Sequence, residues 1–388
     1  MVTVLGSSTR APAAARPARP WVLAATVAAS GLLVTSGALA LTGSAAPGRP
    51  TDGPSGAVPA EPALHVTSTV PTDGQQEVPP DEPVTVGFSA PLAPTSPMPR
   101  LDPAVAGSWV RLSPAIVQFD PAASLPPGTT ITLTVPGGAG GVVPVAGTGL
   151  AAPVTVHFTV APMSVHRLQE LLAQLGYLPL SFSPASSAPV PAAELAIDQP
   201  GTFRWRWSTL PAVLTRQWTE GTANVLTTGA VMAFEDQHGL ATDGVAGPQV
   251  WRTLLAAATT GSTDSFGHWD WVDVSTALPE TVTVWQDGAV VFRTLANTGI
   301  PQAPTAPGTF PVYLRYRTTT MSGTNPDGSH YSDPGVPWVS YFNGGDALHG
   351  FVRPGYGYPQ SLGCVEMAPA AAQVVWPLTP IGTLVTVQ

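Results

Sequence analysis

The sequence predicts a multidomain α+β chain: an N-terminal membrane segment, a β-sandwich, a small helical domain and a C-terminal mostly-β domain. Three observations predict it. An apolar run without charge occupies residues 21–41. The hydrophobic period is 2 through about residue 160, lengthens to that of a helix from Ser164, and returns to 2 after about residue 268. Stretches rich in Gly, Ser, Thr and Asp or Pro at 44–62 and 259–267 read as linkers. These divide the chain into a tail and signal or anchor helix (1–43), a linker (44–62), the sandwich (63–161), the helical domain (162–258), a second linker (259–267) and the last domain (268–388).

Composition narrows the function classes. The chain is 44% hydrophobic and 10% charged, with 45 Pro and 39 Gly, a balance suited to turn-rich β structure with real cores. A net charge of −9, with no Lys/Arg cluster in the body of the chain, leaves nucleic acid without an electrostatic footprint. The single cysteine, Cys364, excludes an intrachain disulfide. A lone thiol is an oxidation liability in an exported protein, or else a small buried hydrophobe; its neighbours decide between the two.

Arg10, Arg16 and Arg19 precede the apolar run from Trp21 to Leu41. Its 21 residues are long enough to span a hydrocarbon core of ~30 Å, and positive charge before it places the body of the protein outside the cytoplasm. The segment is either an anchor or a cleaved signal peptide, for which Ala38-Leu39-Ala40 has the small-x-small form. Both give a cell-envelope, extracytoplasmic location, membrane-anchored or secreted.

In the next stretch, short alternating runs such as 84–88 (VTVGF), 130–135 (TITLTV) and 154–160 (VTVHFTV) are punctuated by Pro and Gly. The phrases TSTVPTDGQQEVPPDEPVTVGFSAPL and LPPGTTITLTV resemble bacterial Ig-like domains. A spacer is the expected role.

From Ser164, an N-cap, the residues Val165, Leu168, Leu171, Leu172 and Leu175 share one helical face that Gly176 terminates. A second helical run carries Val231 and Phe234 and closes at Gly239, and Gly247-Pro248 opens a third with Trp251, Leu254 and Leu255. LQELLAQLGYLP followed by AVMAFEDQHGLATDGVAGPQVWRTLL resembles the peptidoglycan-binding three-helix module. The departure is an insert of roughly fifty residues between the first two helices, including FRWRWSTLPAVLTRQW, which suggests an added hairpin or platform. A helical spacer without binding is the alternative.

The last domain opens with 281–285 (TVTVW), Asp287-Gly288 and 290–292 (VVF), a strong hairpin signal. Strand-like pieces follow at 310–314, 338–342 and 384–387.

Chemistry concentrates in His349-Gly350, eleven further residues ending at Ser361, and Leu362-Gly363-Cys364-Val365-Glu366-Met367. A thiol attacks a carbonyl as thiolate, and a histidine within reach supplies it by taking the proton. Gly363 lets the chain turn tightly before the nucleophile, and the amides of Gly363 and Cys364 are candidate oxyanion donors. His65, His157, His166, His238, His268 and His330 are scattered without an i,i+4 pair or HExxH, so no metal is assigned. No phosphate-binding loop is recognised and no cofactor is expected.

The last 120 or so residues resemble the YkuD family, the L,D-transpeptidases, marked by a His followed by Ser-His-Gly-Cys. Thr298-Gly299, Ala306-Pro307-Gly308-Thr309-Phe310 and Gly382-Thr383-Leu384-Val385 extend the likeness. The resemblance implies that Cys364 attacks the L,D-amide of a tetrapeptide stem, releases D-alanine and passes the acyl group to a neighbouring stem as a 3→3 crosslink. It implies His349 as base with the Gly350 carbonyl orienting it, Ser361, Leu362, Met321 and Tyr331 as substrate-binding residues, and acylation by carbapenem-type β-lactams. Its partners would be peptidoglycan stem peptides and glycan, and the membrane if 21–41 is retained. Trp338 is either core or substrate wall. Leu362 stands where the motif has a second His, and Glu366 where many members have Arg, a charge reversal expected to change which stem carboxylate or amide is tolerated. Open alternatives are an L,D-carboxypeptidase or envelope-protein ligase using the same acyl-enzyme, and a non-catalytic peptidoglycan-binding scaffold.

Overall fold

Alternation with period 2 places Val84, Val86 and Phe88 on one face of a strand, and all three are buried. The same rule organises the first domain of the computed structural model, which describes residues 63–191, 194–261 and 267–388. Strands β1 (Val66–Val70), β2 (Val84–Phe88), β4 (Gly107–Ser113) and β5 (Ile116–Pro121) form one antiparallel sheet in the order β1-β2-β5-β4. Strands β3 (Arg100–Asp102), β6 (Thr130–Val135) and β7 (Val154–Thr159) form a second, and Val117, Ile131, Leu133 and Phe158 fill the core between the two. The tail, apolar segment and linker assigned to residues 1–62 lie outside the described residues. Among the described residues no helix is long and apolar enough to cross a membrane.

The helical stretch begins as expected: Ser164 caps α1 (Val165–Gln174) by accepting from the Arg167 amide, and Gly176 leaves it at φ 94°. Leu171 and Leu172 are fully buried, each stabilising the fold by about 1.5–3 kcal/mol. The insert is an antiparallel hairpin of β8 (Leu180–Pro184) and β9 (Gly201–Trp205) followed by the short α2 (Ala212–Thr215). Its aromatic residues do not form an open platform. Phe203, Trp205, Trp207 and Trp218 pack against the core of the helices, and Thr209 donates to the Gly288 carbonyl at 2.5 Å. Two longer helices follow, α3 (Val225–Gln237), capped by Asn224, and α4 (Pro248–Thr260), which has Pro at its start and Gly261 in the left-handed region at its end. Residues 259 and 260, read as linker, are therefore the last turn of α4; residues 262–266 lie outside the described ones.

Two sheets build the last domain. One holds β10 (Asp270–Ser275), β11 (Thr281–Gln286), β12 (Ala289–Leu295), β13 (Gly308–Pro311) and, at the C-terminal end, β18 (Leu384–Val387), in the order β12-β11-β10-β18-β13. The other holds β14 (Leu314–Thr324), β15 (His330–Asn343), β16 (Asp346–Gly350) and β17 (Val365–Met367) in sequence order, with β16 and β17 parallel. The β11–β12 turn has φ 49° at Asp287 and 75° at Gly288, the twist-matching geometry that Asp-Gly signals. Val272, Val274, Val385 and Val387 face inward, and α5 (Pro369–Val375) closes that core with Ala372 and Val375. Trp271 and Leu384, of opposite parity, point the other way into the core of the helices. One apolar core thus runs from α1, α3 and α4 through to the outer face of the first sheet.

Backbone contact makes that junction tight. A Cβ on Gly229 of α3 would sit 2.6 Å from the Gly382 carbonyl, and one on Gly382, at φ 86°, 2.3 Å from the Gly229 carbonyl. Gly229→Val is therefore expected to destabilise the whole chain by about 1–3 kcal/mol, the usual cost of forced overpacking. A denaturant midpoint equal to that of wild type would contradict this packing.

Candidate active site

The site is assembled where β16 and β17 run side by side. Their register pairs Leu348 with Val365, His349 with Glu366 and Gly350 with Met367. Residues two apart on a strand share a face, so Cys364, just ahead of β17, joins Glu366 and His349 on one side. The chain between the strands must return over fourteen residues without a helix. It is braced by residues 297–300: Asn297 exchanges amide hydrogen bonds with Glu366 at 2.9 Å, the Gln360 and Ser361 amides donate to the Thr298 carbonyl, and Ile300 donates to that of Ser361. Buried Glu280 anchors this brace by accepting from the Thr298 amide at 2.6 Å and its hydroxyl at 2.7 Å.

Just before Cys364 the backbone turns sharply, with Gly363 at φ 114°. A Cβ there would lie 2.6 Å from Oδ1 of Asp346, so both conformation and space require glycine. Ser361 is buried; its hydroxyl donates to the Cys364 carbonyl and accepts from the Gly363 amide at 3.2 Å. The Gly363 amide, a candidate oxyanion donor, is engaged within the turn by the Ser361 hydroxyl. The Ser361 hydroxyl holds the turn, although the residue lines the cavity. Among the described residues, the amides of Leu362 and Cys364 donate to no protein acceptor.

His349 is 2% exposed, and its Nδ1 lies 3.1 Å from the Gly350 carbonyl. A carbonyl only accepts, so Nδ1 carries the proton and Nε2 is the basic nitrogen. Burial holds the imidazole below the usual histidine range, against the pull of the Gly350 carbonyl and Glu366, so it rests neutral. The Cys364 thiol donates to the Gly345 carbonyl at 3.5 Å. Burial pushes it up to about 12; Asp346 and Glu366 add to the rise, while the Ala347 amide opposes it. Burial thus favours a neutral thiol beside a neutral imidazole.

Cys364 and His349 open into one cavity of about 330 Å³, whose wall includes Met321, Tyr331, Ser361 and Leu362. Met321 and Tyr331 stand on the long β14–β15 hairpin that overhangs the thiol, with Met321 paired opposite Asp333. Gly350 and Gly363 act from behind the wall rather than in it. Trp338 is core: it packs on Trp376 with ring centres 5.7 Å apart and does not line the cavity. Three charged residues of the wall, Asp333, Arg353 and Glu366, complete the site. The sequence flagged only Glu366, because Arg353 and Asp333 occupy no position of the motif.

Residues 270–387 match the family model of the L,D-transpeptidase catalytic domain, YkuD, and residues 60–160 that of the bacterial Ig-like domain, Big_5. The chain carries an L,D-transpeptidase catalytic domain. Its likeness to solved structures is distant. The catalytic domain of the E. faecium L,D-transpeptidase is 27% identical over 30% of this chain and 95% of that one, with a TM-score of 0.28. The Mycobacterium smegmatis L,D-transpeptidase is 15% identical over 84% and 99%, at 0.28. L,D-transpeptidase 3 from Mycobacterium tuberculosis, solved with a faropenem-derived adduct, is 17% identical over 83% and 97%, at 0.29. No curated protein matches the chain. Assignment of the transpeptidase domain rests on the family match.

Within that domain, Gly299 and Ala306 of the upstream motif serve the turn rather than the substrate: Gly299 donates to the Thr305 hydroxyl, and the Ala306 amide to Oδ2 of Asp346. Gly363→Ala is expected to displace the thiol and slow its reaction with a neutral electrophile by ~10²-fold, the scale on which 1 Å misplacement acts; an unchanged rate in folded protein contradicts the turn's role. An imidazole held neutral by burial can still accept a proton below the ordinary histidine pKa of ~6.5. The acid limb of Cys364 reactivity should therefore be centred below ~6.5, and a limb centred above it would mean a charged resting imidazole.

Proposed function

We propose that this protein is an exported L,D-transpeptidase that forms 3→3 peptidoglycan crosslinks through an acyl-enzyme on Cys364. One observation carries the reading: a thiol and a neutral, oriented imidazole share a cavity in a domain of the L,D-transpeptidase family. His349 Nε2 takes the thiol proton as sulfur attacks the amide carbonyl of a tetrapeptide stem. The Leu362 and Cys364 amides receive the oxyanion. His349 then protonates the departing D-alanine amine, leaving a thioester on Cys364. An acceptor amine gives its proton back to His349 and takes the acyl group, restoring the thiol.

The rest of the chain is read as delivery. Arg10, Arg16, Arg19 and the apolar segment 21–41 direct the body outside the cytoplasm, the Ig-like domain spaces it from the membrane, and the helices hold it at the polymer. The glycan-binding role of the helices is supported by their order and by LATDGVAGPQVW between α3 and α4. Carbapenem-type β-lactams, which present a strained acyl carbonyl to the same thiol, belong to the proposed ligands.

Incubation with a disaccharide-tetrapeptide tests the mechanism by intact mass. Wild type should gain the acyl mass with release of D-alanine and yield a dimeric muropeptide, while Cys364→Ala should gain nothing. An adduct on the alanine variant, or none on folded wild type, would overturn it. Tripeptide as the sole product would instead identify a hydrolase.

A further inference from the structure

Glu366 is the unexpected charge beside the reacting pair. Its register places it opposite His349 and two residues beyond Cys364, and its side chain is 6% exposed. An uncompensated carboxylate there would oppose loss of the thiol proton and hold a proton on the imidazole. The structure does not leave it uncompensated. Arg353 closes a planar fork on it, Nε to Oε2 at 2.8 Å and Nη2 to Oε1 at 2.8 Å. Arg353 is itself pinned: its amide donates to the Tyr356 hydroxyl, that hydroxyl donates to the Phe351 carbonyl, and its guanidinium lies 4.7 Å from the centre of the Phe351 ring. Phe351 in turn meets His349 edge-on.

We propose that Arg353 is a positioning residue for acyl transfer, which neutralises Glu366 so that a buried carboxylate can sit beside His349 and Cys364 without disabling them. The charge reversed at 366 is thus restored from 353, within hydrogen-bond distance of the same carboxylate. The proposal rests on Cys364 and His349 as nucleophile and base. The other groups acting on the pair are Asp333 from β15 and the Gly350 carbonyl at His349, and Asp346 and the Ala347 amide at Cys364. Tyr331 and Tyr341, whose phenols are raised chiefly by burial and secondarily by Cys364, also face the thiol.

Because Cys364 is the one cysteine of the 388-residue chain, alkylation by iodoacetamide reports on it in the intact protein, whatever the natural substrate. The pH–rate profile is measured for wild type, Arg353→Gln, Glu366→Gln and the double variant. Arg353→Gln should have its acid limb about one unit higher and so react ~10-fold more slowly at pH values below both limbs, one unit being tenfold in protonation. Glu366→Gln should move the limb lower, and the double variant should return to within ~3-fold of wild type. A double variant as slow as Arg353→Gln, or limbs unmoved in both single variants, overturns the proposal. If Arg353→Gln does not melt cooperatively, Glu366→Gln decides alone, and an unmoved limb overturns it. A wild-type profile without an acid limb removes the base and this inference together. The expected set of limbs in a protein that takes no acyl group from a tetrapeptide stem leaves the charge pair standing and sinks the stem reading.

Discussion

Parallel pairing of β16 with β17 is the constraint on which the rest of the site depends. A side-chain period of 2 means that a slip of one residue would turn His349 and Cys364 to opposite faces. Parallel neighbours usually gain their register from a crossover helix. Here a loop makes the return, and Asn297, Thr298 and Glu280 do the fixing that a helix would otherwise do. The upstream motif is therefore part of the site in an architectural sense, supplying backbone partners to the loop that delivers the thiol.

Much of this was legible in the sequence. Asp287-Gly288, Ser164, Gly247-Pro248 and the alternating valines act through local geometry, so each declares its element wherever the chain later goes. That His349 and Cys364 would share one cavity was legible from their residue types and spacing, and Gly363 because the turn tolerates no side chain. What escaped was set by contacts distant in sequence. Nothing in Arg353 announces that it will meet Glu366, and nothing in Ser361 tells whether its hydroxyl will face the substrate or the turn. The Trp-rich insert was legible as a hairpin, but not as packing: tryptophans spaced for a platform look the same in sequence as tryptophans spaced for a core.

The electrostatics follow from burial more than from any one partner. Both members of the reacting pair are pushed toward their neutral forms, the thiol upward and the imidazole downward. A thiol held neutral in this way is less open to oxidation than a thiolate, since susceptibility follows thiolate character. Neutrality also explains why a carboxylate can be tolerated so near: in a neutral pair, one ion pair that cancels itself adds little net field.

The odd and even residues of β10 and β18 serve two different interiors, Val272, Val274, Val385 and Val387 inward and Trp271 and Leu384 outward beneath the helices. For the history of the gene this has a consequence. A recombination event that carried residues 268–388 alone into another chain would strip the cover from a buried tryptophan and leave a sticky outer sheet. The helices and the first catalytic sheet are therefore one unit of inheritance as far as packing goes, whereas the Ig-like domain has an apolar core of its own.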